Sequence, residues 1–344
     1  MNETIFYDCV VGIINHSNLE LIKKSITSVI RETNKKYLIT VLDNSPNNLD
    51  FGILKHEFPE IIIASNKKIS GFAENMNILI KEFSSKAKYF LILNDDTEIT
   101  ENAIDRLINY LETNKNIAAI SPKLIFPDRT PQLSGGFFNM KKEVWRFSGL
   151  GTLLKPRVRS VIGTYLNKFV HEKNSLMKYL KSFYETNNPW IADYISGTCM
   201  LLRCEAISNV GTLSEDYFMY AEDVDWCKRA RMKGWKVGVF PRAIVIHYQN
   251  KSMNLRSFIE RERSSLIFFS KYYNNKIYLI LYRVFIIILS FIRLLLFPLF
   301  KTTNMGKKEL FLGYLDIMRI MLKNELNKGN YIRQSIYEFT LKRS

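Results

Sequence analysis

Short apolar runs alternate with amphipathic stretches over the first third of the chain. Cys9–Ile14, Tyr37–Leu42, Ile61–Ser65, Tyr89–Leu93 and Ile117–Ile120 are each brief and rich in β-branched or aromatic residues. Runs of that length and composition read as strands buried on both faces. Between them the apolar period changes. Ile22, Ile26, Val29 and Ile30 recur at helical spacing, as do Phe72, Met76, Leu79, Ile80 and Phe83. Strands alternating with amphipathic helices predict an α/β fold, a Rossmann-like, mostly parallel sheet with helices on both faces. In such sheets ligands bind beyond the carboxyl ends of the strands.

The pattern weakens from about Asn139 to Asn188, where Lys141, Lys142, Arg146, Arg157, Lys168 and Lys181 stand among few acids. This reads as a basic insert, either a solvated loop or a surface for anionic lipid or a phosphate-bearing acceptor. Regular patterning then resumes. Ile191–Arg203 predicts a strand passing through Gly197, and Glu222 to Lys233 a helix closed by Gly234. Trp235–Phe240 and Ala243–His247 predict two short strands around Pro241. Lys276 to Phe300 is long and apolar enough to cross a bilayer, but Arg283 and Arg293 interrupt it. Each arginine is costly at the centre of a span. An in-plane helix is therefore favoured over a core helix or a true span, with flanking tyrosines and lysines suited to an interface. A second amphipathic helix is expected from Lys308 to Lys323. The division expected is a first domain over residues 1–260, with the insert at about 139–188, and a helical, membrane-associating region over 261–344.

Composition narrows this only a little. The 344 residues carry a formal net charge of +16, which favours anionic partners without choosing among them. Nucleic acid is disfavoured as that partner. The positive charge concentrates in the insert and the C-terminal helices, beside apolar runs, rather than with exposed aromatics on one face. The four cysteines show no CxxC pairing and read as reduced thiols of a cytosolic protein. The opening run MNETIFYDCVVGII lacks the features of a signal peptide and reads as a first strand.

The candidate chemistry lies just after the strands. Asn15, His16 and Ser17 follow the first, Asp43, Asn44 and Ser45 the second, and Asn94, Asp95, Asp96 and Thr97 the fourth. Turn formation accounts for the first two sets. It accounts less well for Asp95 and Asp96, because adjacent carboxylates repel and a divalent cation would neutralise them. Glu222 and Asp223 open a helix, where its dipole favours negative charge, and His247 ends a strand. Singly, these also fit an ordinary first helical turn and a satisfied core histidine. Together they match what sugar transfer from a nucleoside diphosphate demands: a cation for the leaving diphosphate and a carboxylate for the acceptor proton.

The segment ISGTCMLLRCEAISNVGTLSEDYFMYAEDVDWCKRARMKGWKVGVFPRAIVIHYQNKS, from Ile195 to Ser252, with LDNSP, SGFAENMN and LILNDDTEI before it, resembles the family 2 inverting glycosyltransferases, near their rhamnosyltransferase-like branch of surface-polysaccharide synthesis. The resemblance covers roughly residues 8–275. It implies a GT-A fold and transfer of a sugar from a nucleotide donor, dTDP-rhamnose or a UDP-sugar, to a hydroxyl of a lipid-linked or oligosaccharide acceptor. It implies Mn2+ or Mg2+ at Asp96 and His247, a general base at Asp223, and Glu222 beside it orienting the acceptor. Asp43 would recognise the base, Asn77 would lie near the nucleotide, Asp95 near the ribose or metal, and Asn15 and Asn94 in the same donor site. The enzyme would sit on the inner face of the cell membrane, against its anionic surface. This chain departs from the family at His16 and Ser17, where Tyr-Asn is common, at Asn94, a variant of the first motif acid, and at Ser214, where the family has Asp. A sugar-phosphate nucleotidyltransferase would instead carry a Gly-rich basic loop after the first strand, where this chain has Asn15-His16-Ser17-Asn18.

Overall fold

The computed structural model describes residues 6–15, 19–44, 51–66, 68, 70–138, 140, 143, 187–248, 255–273, 275–295 and 307–322. Most of the basic insert expected at 139–188, with His16, Ser17 and Ser45, lies outside the described residues. The chain folds as two compact units. The first comprises residues 1–137, 183–215 and 222–249, and the second residues 138–182, 216–221 and 250–344.

The first unit is built on a nine-stranded sheet. In chain order its elements are β1 (Tyr7–Asn15), α1 (Leu19–Glu32), β2 (Tyr37–Asp43), α2 (Phe51–Glu57), β3 (Ile62–Ser65), α3 (Phe72–Phe83), β4 (Ala87–Asn94), β5 (Thr97–Thr100), α4 (Ala103–Thr113) and β6 (Ile117–Ile125). They continue with β7 (Gly135–Gly136), β8 (Trp190–Ala192), β9 (Tyr194–Ile195), β10 (Cys199–Arg203), α5 (Cys204–Val210), α6 (Glu222–Met232) and β11 (Lys236–His247). The spatial order is β3-β2-β1-β4-β10-β6-β11-β5, with β8 paired to β11, while β7 and β9 form a separate ribbon. Strands β3, β2, β1, β4, β6 and β11 run the same way, and β10, β5 and β8 oppose them.

Alternate residues of each central strand enter opposite layers. Cys9, Val11 and Ile13 pack with Ile22, Ile26 and Val29 of α1 and Leu107 and Leu111 of α4. Val10 and Ile14 pack with Met76, Leu79 and Ile80 of α3 and Trp226 and Ala230 of α6. That is why β1 is buried without a break from Cys9 to Asn15. Gly12 sits where a Cβ would fall 2.6 Å from the Phe90 ring, so this close approach requires glycine.

Three expectations need correction. Ile30 is 45% exposed rather than part of the α1 core face, because Val29 already fills that turn. The predicted strand Ile191–Arg203 is three short ones, interrupted at Asp193 and again over Ser196–Thr198. The two strands predicted around Pro241 are one strand, β11. Its pairing with β6 slips between Phe240 and Ile244, so Pro241, Arg242 and Ala243 bulge between consecutive partners Pro122 and Lys123. A bulge is how a strand accommodates a residue without an N–H. Gly234, at φ +88°, closes α6 as expected.

The second unit contains α7 (Leu255–Tyr272), α8 (Lys276–Leu295) and α9 (Lys307–Leu322). Phe269 of α7 meets Tyr282 of α8 at 5.2 Å between ring centroids, and Phe258 meets Tyr314 of α9 at 5.4 Å. Arg293 donates to the Tyr314 hydroxyl. The 216–221 segment is held to α7 by Ser264 Oγ donating to the Met219 carbonyl at 2.8 Å and by Lys271–Asp216 at 3.0 Å. The boundary expected at residue 260 falls inside α7.

Candidate active site

The strand order turns back on itself at β1. β2 and β3 build outward on one side and β4 lies on the other, which marks the ligand crevice of an open α/β sheet. Register places the polar strand ends together there: Asn15 is opposite Asp43, Asp43 opposite Ser65, and Ile14 opposite Asn94. Backbone bonds tie the loops, with Asn44 N–H donating to the Asn15 carbonyl at 3.2 Å and Asn66 N–H to that of Asp43 at 3.0 Å. Asp43 is half-buried at this edge. The Asn15 side chain is wholly buried, so the donor contact expected of it has no exposed surface.

After β4 the chain turns through Asn94-Asp95-Asp96 into β5. The Thr97 hydroxyl donates to the Asn94 carbonyl at 2.7 Å and fixes the turn. Because β5 runs antiparallel to β11 with Thr97 opposite His247, Asp96 comes beside the end of β11. Its Oδ1 lies 3.2 Å from His247 Nε2, and Tyr248 N–H donates to the Asp96 carbonyl at 2.8 Å. Asp95 is half-buried in the same turn.

His247 is buried and its other ring nitrogen is taken. Nδ1 lies 2.7 Å from Gln132 Oε1, while Gln132 Nε2 donates to the His247 carbonyl at 2.8 Å. Asp96 Oδ1 and His247 Nε2 therefore form a carboxylate–imidazole donor pair of the kind that holds Mn2+ or Mg2+ alongside phosphate oxygens. Among the described residues no group of three or more His, Cys, Asp or Glu forms a closed metal cage.

The acidic pair opens α6 after two residues in the left-handed region, Tyr220 at φ 69° and Ala221 at φ 66°. Such backbone is costly for residues with a Cβ and concentrates at functional sites. Asp223 is half-buried. Its Oδ2 accepts from Gly197 N–H at 2.9 Å and its Oδ1 from Val224 N–H at 2.7 Å. Burial raises its pKa above the ordinary aspartate value, opposed by those two N–H groups. Glu222 is buried, and among the described residues its Oε2 has no partner. Desolvation first, and the neighbouring Asp223 charge second, push its pKa up to about 8. Such a side chain is a neutral acid at pH 7 and presents little surface to an acceptor. The orienting role expected of it would have to pass through Asp223.

The loop that anchors Asp223 joins the two sets. Asn94 N–H donates to the Thr198 carbonyl at 2.9 Å, and Gly197, which holds Asp223, precedes Thr198. Ser196 N–H donates to the Ser134 carbonyl at 2.9 Å, two residues from Gln132. Asp223, the Asn94–Asp96 turn and His247 are thus linked through short segments of one network.

Asn77 stands apart from it. In place of an exposed face at the strand ends, it shows a structural clasp. Its side chain is 1% exposed, donating to the Leu213 carbonyl at 2.9 Å and to Glu215 at 2.8 Å, and accepting from Leu213 N–H at 3.0 Å. Asn75, not singled out in the sequence, faces the strand ends, accepting from Asn66 at 2.8 Å and donating to the Ser70 carbonyl at 3.1 Å. Gln132 was missed as well: a lone glutamine after the turn-forming Pro-Asp-Arg-Thr-Pro carries no signal of its own.

The similarities to known proteins agree with this arrangement. Rhamnosyltransferase WbbL of Escherichia coli is 24% identical over 254 residues, covering 72% of this chain and 86% of that protein. The N-acetylglucosaminyl-diphospho-decaprenol L-rhamnosyltransferase of Mycobacterium tuberculosis is 20% identical, covering 67% and 73%. Two solved structures share the fold, which is GT-A. GalNAc-T7 with UDP, GalNAc and Mn2+ has a TM-score of 0.56 at 13% identity, covering 98% of this chain and 58% of that one. The mannosyltransferase PcManGT of Pyrobaculum calidifontis, with GDP-Man and Mn2+, has a TM-score of 0.53 at 11% identity, covering 93% and 89%. The family model described as "Glycosyl transferase family 2" matches residues 10–211, more than half of the sequence, including Asn15, Asp43 and Asp96 and ending before Asp223 and His247. A match of that extent, on a GT-A sheet, makes the chain a member of glycosyl transferase family 2.

Proposed function

We propose that this glycosyltransferase moves a sugar from a nucleoside-diphosphate donor to a hydroxyl of a lipid-linked glycan, with inversion at the anomeric carbon. The observation that carries the reading is the convergence on one crevice of the Asp96–His247 pair, 3.2 Å apart, and of Asp223 through the Gly197–Thr198 loop. Asp96 and His247 would hold a divalent cation, which supplies charge neutralisation for the leaving diphosphate. Asp43, at the β2 edge of the crevice, would bind the base of the nucleotide. Asp223 accepts the proton of the acceptor hydroxyl as it attacks from the face opposite the leaving group. Its two backbone donors fix the carboxylate orientation before substrate arrives. Its raised pKa makes it a stronger base than an exposed aspartate. A neutral Glu222 leaves Asp223 as the anionic member of the pair.

The rhamnosyltransferase relatives favour a deoxyhexose donor such as dTDP-rhamnose, and the mycobacterial one names a diphospho-lipid acceptor. For a lipid acceptor, α8 offers a docking surface. Ile277, Leu281, Val284, Ile288, Phe291 and Leu295 are all exposed and succeed one another by four, three, four, three and four residues, forming one stripe. Tyr282, Ile286 and Ser290 form the opposite, buried face. Arg283 and Arg293 lie off the stripe, so an in-plane helix can bury its apolar arc in one leaflet without burying either charge. We place the enzyme on the cytoplasmic face of the membrane, where the basic chain meets anionic headgroups.

The test is a donor panel read by thermal shift with and without Mn2+, followed by NMR of the product. Cation-dependent stabilisation by one nucleotide sugar and an inverted anomeric centre are expected. A product of retained configuration would overturn the single-displacement mechanism.

A further inference from the structure

Gln132 spends both ends of its amide on a single residue, and that residue is His247. The amide orientation is fixed by the bond from Nε2 to the His247 carbonyl at 2.8 Å. A flipped amide would set two carbonyl oxygens against each other at that distance. With Nε2 so placed, Oε1 is the atom 2.7 Å from His247 Nδ1. An oxygen acceptor at 2.7 Å calls for a proton on Nδ1. The other ring nitrogen, Nε2, is thereby turned to Asp96 Oδ1 at 3.2 Å. A cation that displaces any proton between them finds both ligand atoms already aimed at one point.

Gln132 cannot readily swing away. It is 7% exposed, its own N–H donates to the Leu124 carbonyl at 2.8 Å, and Ile125 bridges Pro131. The turn between is set by Asp128, whose Oδ1 accepts from Thr130 N–H at 3.0 Å. Ser134 Oγ accepts from Leu124 N–H at 2.7 Å and pins the far side. Since β6 runs parallel to β11 with Ile125 beside Ile246, this short hairpin delivers the amide to His247.

We propose that Gln132 is a positioning residue of the cation site, holding His247 in the Nδ1–H tautomer with the Nε2 lone pair turned to Asp96. The inference rests on the reading of Asp96 and His247 as cation ligands. A partner that fixes the tautomer and orientation of a ligating histidine commonly contributes 10–100-fold in metal affinity.

Two measurements on the full chain test it. Long-range 1H–15N NMR at pH 8, with His247 identified by comparison with H247N among the four histidines, should show the proton on Nδ1 and none on Nε2. Titration of Mn2+ alone, followed by the EPR signal of the free ion, should show Q132L binding roughly 10–100-fold more weakly than wild type. Q132E keeps an acceptor for Nδ1–H but sets a carboxyl oxygen against the His247 carbonyl, and should bind better than Q132L though short of wild type. A role confined to packing would weaken both variants alike. A proton on Nε2, protons on both nitrogens, or wild-type Mn2+ affinity in Q132L while D96N loses it would overturn the role of Gln132 and leave the ligand pair standing. Wild-type affinity in both D96N and H247A would overturn the ligand pair itself. Should Q132L fail to fold, the tautomer in the wild-type protein still decides.

Discussion

Replacing Glu222 by glutamine should make the protein more stable above neutral pH, although it deletes a carboxylate beside the proposed base. The folded-state pKa of Glu222 is raised from an ordinary 4.5 to about 8, by burial and by the Asp223 charge. Below pH 4.5 the group is protonated whether the chain is folded or not, and it imposes no penalty. As pH rises further the unfolded chain releases this proton while the folded chain keeps it, so stability falls by about 1.4 kcal/mol per pH unit. The loss reaches about 3 kcal/mol at pH 7 and levels off near 5 kcal/mol once pH passes the folded pKa of about 8. Glutamine has nearly the same shape and does not ionise, so Glu222→Gln removes that slope. Urea unfolding at half-unit steps from pH 5 to 9 should show the variant level with wild type, or slightly below it, at the acid end and above it by a few kcal/mol at the alkaline end. Turnover at pH 7 should survive, because the native side chain is already neutral there. If the two stability curves run parallel across this range, Glu222 is ionised in the folded protein and the account of the acidic pair is wrong.

Asp223→Asn should lower kcat by about 100- to 10,000-fold, as loss of a general base does, while Mn2+ affinity and unfolding temperature stay near wild type; steady-state kinetics and EPR decide it. Asn77→Ala should destabilise the fold by roughly 2–4 kcal/mol, because it strips partners from the buried Leu213 backbone, yet leave donor affinity unchanged in the folded fraction, read by urea unfolding and by calorimetry. Exchanging Leu281, Val284 and Ile288 together for glutamate should abolish flotation with anionic liposomes while donor hydrolysis in detergent continues. Unchanged flotation would move the membrane contact away from α8.

What the sequence made legible depended on how local the cause was. The strand cores and helix faces were readable because burial on both sides of β1 and β4 leaves a continuous apolar run, and one-sided burial leaves a helical period. Asp96 and Asp223 stood out as candidates because adjacent carboxylates in the turn after β4 repel, and because the acidic first turn of α6 occurs in the same chain as that turn. The single bent strand β11 was not, because Pro241 looks like a terminator wherever it stands. Only the pairing partner, β6, shows that three residues can bulge out while the ladder resumes at Ile244. The clasp made by Asn77 was hidden for a related reason: its position in the motif is local, but its partners lie at Leu213 and Glu215, more than a hundred residues away in the chain. Gln132 was invisible because nothing in its neighbourhood is unusual. Its importance arises from three separate choices: a hairpin set by Asp128, a parallel pairing of β6 with β11, and a histidine at the last residue of that strand. Sequence reasoning finds the residues that bear charge. The neutral residues that fix their orientation become visible only when strand register is known, and in this fold the register of β5, β6 and β11 converts three scattered polar residues into one site.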